Sequence, residues 1–409
     1  DIVFLAEGSG IRSGEYYEYI GEDPLQKTDI NGDGTLDNLI FSQDYTDTAK
    51  WKNLITNDQI VVKASVADST VKTDADLVVD ATNSQTINSR VSAGSVALAS
   101  GFIANAESGA GAGTVNRINA EVTAEIDGQA AASGADIIVG GNLAITADET
   151  SLINAFSAAS SVAIADGFFG DAAATGVAGA DSRISGSANA HVKNVRIEAA
   201  GNANVDALQS ATIDAEANAA AASNGELAGG GAIAQAIVGS TTDANVTDAT
   251  IEVEGTLTVS AYSASVADAT VGADADGAGA AEAGAIALIK LSPTVHATIT
   301  GSDITASDVI LRSQADQNAQ SETKGFAAGG EAVGAAVAAG DLLSDVQAGL
   351  GDNVILTADS LTINVDNVDY LDLQSQAISG AGFLGIAGAY SRLNLDNQAL
   401  AVMGDGNTV

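Results

Sequence analysis

The sequence predicts an all-β protein: an elongated parallel β-solenoid (β-helix) of about six repeats of 52–66 residues, preceded by a small β-rich module. Three observations carry this prediction. The apolar residues are mostly small, a short β-branched strand motif recurs at nearly constant steps, and an aromatic-rich opening segment holds one acidic loop.

The apolar fraction is 46%, but aromatics make up only 4% and alanine is the commonest residue. A core of ordinary thickness needs large side chains to fill it. Apolar positions that are mostly Ala and Val can pack only thin layers, and the ordered periodicity below separates the chain from a disordered one. Lys and Arg number 15 against 53 Asp and Glu, a formal net charge of -38. Such a field repels nucleic acid and anionic lipid, so neither nucleic acid nor membrane insertion is expected. It favours solubility and divalent cations. The absence of cysteine excludes disulfides, thiol nucleophiles and zinc–thiolate sites. No uninterrupted run of 18 apolar residues and no signal peptide occur. Neither end reads as a natural terminus, so the chain is expected to be part of a longer protein.

Residues 1–60 form the first region. Phe4, Tyr16, Tyr17, Tyr19, Phe41, Tyr45 and Trp51 are seven of the sixteen aromatics, and Pro24 is one of two prolines. That density suits a compact module with its own core. YYEYI (16–20) and LIFS (39–42) read as strands.

Residues 61–409 repeat. The landmark strand appears as ADLVVDA (75–81), GNLAITA (141–147), GNANVDA (201–207), GTLTVSA (255–261), SDVILRS (307–313) and DSLTINV (359–365), at steps of 66, 60, 54, 52 and 52 residues. SVALASGF (95–102) recurs as SVAIADGF (161–168), and an Ala-x-apolar pair stands at Ala190/Val192, Ala244/Val246, Ala297/Ile299 and Ala348/Leu350. Three landmarks in register identify a structural repeat. Between them lie Ala/Gly segments such as 95–113, 274–289, 325–340 and 379–390. Alanine favours helix, but glycine every few residues costs up to ~1 kcal/mol each in a helix interior. Strand is therefore expected there. Units with so thin an apolar face bury it only by stacking. One wide, flattened coil per repeat is the preferred reading; two or three ordinary coils per repeat is the alternative.

One motif carries chemistry. Residues 29–37 read DINGDGTLD, which places side-chain oxygens of Asp29, Asn31, Asp33 and Asp37 at loop positions 1, 3, 5 and 9. Gly34 allows the sharp turn, and Thr35 offers its backbone carbonyl at position 7. This is the hard-oxygen cage that calcium prefers. Position 12 is Ile40, not the Glu of an EF-hand. The loop resembles the nine-residue calcium loops of integrin-type and FG-GAP repeats, and Ca2+ is expected to rigidify a junction there.

Other candidates are weaker. His191 and His296 lie in different repeats and read as independent surface residues. Asp366, Asp369 and Asp372 read as a solvated acidic edge, with weak cation binding as the alternative. GDG (404–406) is a turn signal. No Gly-x-Gly follows a strand and opens a helix, so nucleotide binding is not supported.

With its GTLTVSA-like strands, Ala/Gly stretches and Ala-x-apolar pairs, the chain resembles giant filamentous-haemagglutinin-like bacterial exoproteins and adhesins. The opening EYYEYIG (15–21) and SQDYTDTAKWKNL (42–54) are similar to an insert between solenoid blocks of such proteins. The resemblance implies secretion to the bacterial cell surface, and a structural or adhesive role in an extracellular filament or biofilm matrix. Implied partners are neighbouring repeats or copies joined end to end, with cell-surface glycans or other cells as targets. It transfers no catalytic residues. The alternative is a polysaccharide-active β-helix enzyme, which needs clustered carboxylates, a basic residue and sugar-stacking aromatics. The aromatics of the repeat region, Phe102, Phe156, Phe168, Phe169, Tyr262, Phe326 and Phe383 among them, are scattered in sequence.

Overall fold

The structure, a computed structural model, describes residues 2–5, 15–19, 51–53, 59–128 and 136–409. The chain divides into two compact units, Asp1–Gln59 and Ile60–Val409. In the first, strands Ile2–Leu5, Glu15–Tyr19 and Trp51–Asn53 form an antiparallel sheet in that order. The strand expected at 16–20 is described as Glu15–Tyr19, and Trp51–Asn53 is one that alternation did not single out. LIFS (39–42) and the loop 29–37 lie outside the described residues.

The second unit is a parallel β-solenoid, and among the described residues it contains no helix. Its pairing is the repeat itself. Leu77 aligns with Leu143, Leu143 with Ala203, Ala203 with Leu257, Leu257 with Val309 and Val309 with Leu361. Each step of 66, 60, 54, 52 and 52 residues is therefore one hydrogen-bonded step, and one repeat is one wide coil. Ala190, Ala244, Ala297 and Ala348 likewise stand in one column.

A coil has three parts, seen most simply in the third. An outgoing arm runs over Ala203–Ser223, a returning arm over Leu227–Thr247, and a short strand Thr250–Val253 closes the circuit. The fourth coil repeats this as Thr256–Gly277, Ala280–Thr300 and Asp303–Thr305. In coils one, two, five and six the two arms are continuous, over Leu77–Asp127, Leu143–Lys193, Asp308–Leu350 and Ser360–Met403. Ile60–Ala67 lies before the first coil and pairs with the end of its returning arm. An arm of 21 residues spans roughly 70 Å, whereas each coil adds only about 4.8 Å along the axis. The elongation runs along the strands.

Two devices turn the corners. Between returning arm and short strand sit Asp68, Asn194, Asp248, Gly301 and Asn353, all with φ between 45° and 62°. This left-handed region costs most residues energy and is adopted most readily by Gly, Asn and Asp. Between short strand and outgoing arm, acceptors pass from coil to coil. Asp76 Oδ1 accepts from the Asn142 N–H (2.7 Å), Asn142 Oδ1 from the Asn202 N–H (2.9 Å), and Asn202 Oδ1 from the Thr256 N–H (2.9 Å).

Inward-facing positions alternate along the arms, as in Ala203–Ser223, where every second side chain is buried. They form two separate apolar clusters. Where three strands meet, the interior is a wedge of large aliphatics: Leu143, Ile145, Ile197, Val246, Ile251, Leu257 and Val309 are fully or almost fully buried. Where only the two arms face each other, the filling is alanine, as at Ala215, Ala217, Ala234, Ala236, Ala269 and Ala287. There the arms approach so closely that a Cβ on Gly176 would lie 2.5 Å from the Ala220 carbonyl oxygen. One on Gly230 would lie 2.5 Å from that of Asp274. The Ala/Gly segments are thus strands whose small residues set the spacing of the sheets, and their missing bulk explains the low aromatic content.

Candidate functional site

The expected calcium loop, with Asp29, Asn31, Asp33, Thr35 and Asp37, lies outside the described residues. Period-2 geometry and stacking place each outward side chain in a column that runs across coils, and any surface site must be built from such columns.

One axial stripe stands out on the outer face of the returning arms, zigzagging over three neighbouring columns with one residue per coil: Lys63, Glu125, His191, Asp243, His296 and Asp345. Lys63 Nζ lies 2.7 Å from Glu125 Oε1, and Glu125 aligns with His191. His296 sits between two carboxylates, with Nδ1 3.5 Å from Asp243 Oδ1 and Nε2 3.6 Å from Asp345 Oδ2. Burial lowers the His191 pKa, opposed by the attraction of Asp243 and Glu125. Burial raises Asp243, opposed by both histidines. On Glu125, burial pushes upward, but hydrogen bonds from Lys63 and Ser65 outweigh it and bring the carboxyl below its usual value. The expectation that the two histidines are independent is corrected here: both face Asp243, from the coils on either side of it. The signal was available, because His191 follows Ala190 and His296 precedes Ala297, which places them on either side of one landmark column.

The acidic trio behaves in the opposite way. Asp369 aligns with buried Gln317 and points between the arms, whereas Asp366 and Asp372, an odd number of positions away, face outward. The three do not converge. Asp369 accepts hydrogen bonds from Gln317 Nε2 (2.9 Å), Asn367 Nδ2 (3.1 Å) and Asn397. Burial raises its pKa against these bonds. GDG (404–406) forms the expected turn, with Gly406 at φ 75°.

An open groove of about 570 Å³ follows the corner beside the short strands, where Asp74, Glu198, Glu252 and Glu254 outnumber Lys72. Arg196 bridges Glu198 and Glu252. Arg90 lies 4.5 Å from the centre of the Phe156 ring in the adjacent coil, a pairing that occupies this aromatic face.

On the outgoing arm of the third coil, Asp206 lies between Thr146 and Ser260, and burial pushes its pKa up to about 6. A carboxyl raised from 3.8 holds its proton more tightly when folded. Its contribution to stability is therefore complete below pH 3.8 and is lost as pH rises through 6. Asp206→Asn is expected to abolish that loss, leaving the variant more stable than the parent at pH 7 and similar at pH 3.5. Thermal unfolding across this range checks it.

Among the described residues no helix is long and apolar enough to cross a membrane, and no group of three or more His, Asp or Glu is placed to hold a metal ion. Comparison with family models, with curated proteins and with solved structures finds no match to this chain.

Proposed function

We propose that this chain is a structural or adhesive segment of a large secreted bacterial surface or extracellular-filament protein of the filamentous-haemagglutinin-like kind, and that it is not an enzyme. The observation that carries this reading is the parallel pairing that runs from coil to coil, with aliphatic or small side chains repeated in the inward columns of the two apolar clusters. The edge of Ser360–Met403 away from the fifth coil has no long strand partner among the described residues. Its inward residues Leu361, Ile363 and Val365 have the same character as Leu77, Val79 and Ala81 of the first coil. That edge suits a further coil of the same grammar, which supports end-to-end propagation. Cell-surface glycans or other cells are the proposed targets of the outer face, at an extracellular location.

Calcium at Asp29, Asn31, Asp33, Asp37 and the Thr35 carbonyl is proposed to stiffen the opening module. Chelation is then expected to speed hydrogen exchange and proteolysis within residues 1–59 while leaving the solenoid unchanged. Equal protection with and without calcium would remove the metal from the proposal. Incubating the chain with acidic and neutral polysaccharides tests the rest: no depolymerisation is expected, and robust turnover would establish the β-helix enzyme instead.

A further inference from the structure

Between the aliphatic wedge and the alanine zipper, the interior is polar in every coil. The outgoing arms contribute Asn83 and Gln85, then Glu149 and Ser151, Gln209, Ser263 and Ser265, Gln317, and finally Asn367 and Asp369. These occupy just two adjacent inward columns. On the returning arms the inward residues alongside are Gly186, Ser240, Pro293 and Ser344, with Thr242 in the next column. Gly186 makes room for the seam's one fully buried carboxylate: a Cβ there would stand 3.0 Å from Glu149 Oε2.

The seam is hydrogen-bonded in two segments. In the first, Ser151 and Gln209 Nε2 (3.2 Å) donate to Glu149, Ser263 donates to Gln209 Oε1 (2.8 Å), and Ser263 meets Ser240 at 3.3 Å. In the second, Gln317, Asn367 and Asn397 donate to Asp369. The groups between them have no protein partner. These are Thr242 Oγ1, Ser265 Oγ, Gln317 Oε1 and Ser344 Oγ, all on buried residues, with Thr242 and Ser265 fully enclosed.

An unpaired buried polar group carries its full desolvation cost, and four in one stretch of seam call for an occupant. Their chemistry selects it. Three hydroxyls can donate or accept, and an amide oxygen only accepts. A cation would use only their acceptor capacity and leave the three hydroxyl protons without a partner. Water supplies both donors and acceptors and is satisfied by two to four such partners. We propose that the seam binds a file of ordered water molecules between the third and fifth coils, joining its two hydrogen-bonded segments into one network along the solenoid axis.

A crystal structure of the full chain at high resolution tests this directly. Expected are ordered waters within hydrogen-bond distance of at least two of Thr242 Oγ1, Ser265 Oγ, Gln317 Oε1 and Ser344 Oγ. A dry seam with these groups re-paired to one another would overturn the proposal. So would an alkali metal ion there, revealed by anomalous scattering after rubidium exchange. Thr242→Val provides an independent readout. In a hydrated seam it removes an anchor of the network and lowers the unfolding midpoint by about 2 °C or more. In a dry seam it removes an unsatisfied hydroxyl, and an unchanged or raised midpoint would count against the file.

Discussion

Gly230→Val is expected to destabilise the solenoid by about 3 kcal/mol or more, at the upper end of the cost of overpacking. Gly230 belongs to a column that contains only Ala and Gly across five coils: Ala110, Gly176, Gly230, Ala283 and Gly334. A Cβ would already meet the Asp274 carbonyl at 2.5 Å, and valine adds two further carbons. The obstacle is backbone, which cannot rotate away, so the two arms must separate. Separation breaks contact between the small side chains of neighbouring columns as well. Chemical denaturation of the variant measures the loss. Gly229→Ala, one position along where a Cβ would meet nothing within 4 Å, serves as the control and is expected to be nearly neutral.

The wedge is sensitive to the opposite change. Leu257→Ala is expected to cost about 2–5 kcal/mol, the range for deleting a buried leucine where the surroundings collapse incompletely. Leu257 is fully buried, and its column already holds Ala203 one coil below. The column tolerates one alanine because Leu143 and Leu257 stand on either side of it. Two alanines in succession would leave a void that neither Leu143 nor Val309 can fill alone. Equilibrium unfolding of Leu257→Ala beside Gly230→Val compares the two compartments, since the wedge fails by losing volume and the alanine-filled part by gaining it.

The repeat was legible because solenoid stacking forces sequence period and hydrogen-bond register to coincide. The landmark at 77, 143, 203, 257, 309 and 361 is the pairing that the structure contains. Strand in the Ala/Gly segments was also legible, from glycines a helix would not tolerate. The short strands Arg196–Ala199 and Thr250–Val253 were not singled out, because four residues give alternation too little length to register. The functional surfaces were hidden for a different reason. Asp366, Asp369 and Asp372 cluster in sequence, yet a spacing of three places successive members on opposite faces of a strand. His191 and His296 are 105 positions apart and approach Asp243 only because each lies one coil away from it. The polar seam escaped notice because its members are single Ser, Gln and Glu residues among dozens, and their common column exists only once the register is known. The loop 29–37 remains a reading of the sequence, resting on the spacing of Asp29, Asn31, Asp33 and Asp37.

One wide coil per repeat underlies the thin core, the axial stripe and the seam alike. The chain has no cysteine, so an introduced pair is read without interference. Thr212 and Val266 are aligned neighbours on adjacent coils, 54 residues apart. With one coil per repeat their Cα atoms lie about 5 Å apart, within the range a disulfide spans. Oxidation of Thr212→Cys/Val266→Cys is therefore expected to give an intramolecular disulfide in high yield in the folded chain. Failure of that pair, with efficient bridging instead between cysteines at 212 and 239, about half a repeat apart, would show two coils per repeat and contradict the account.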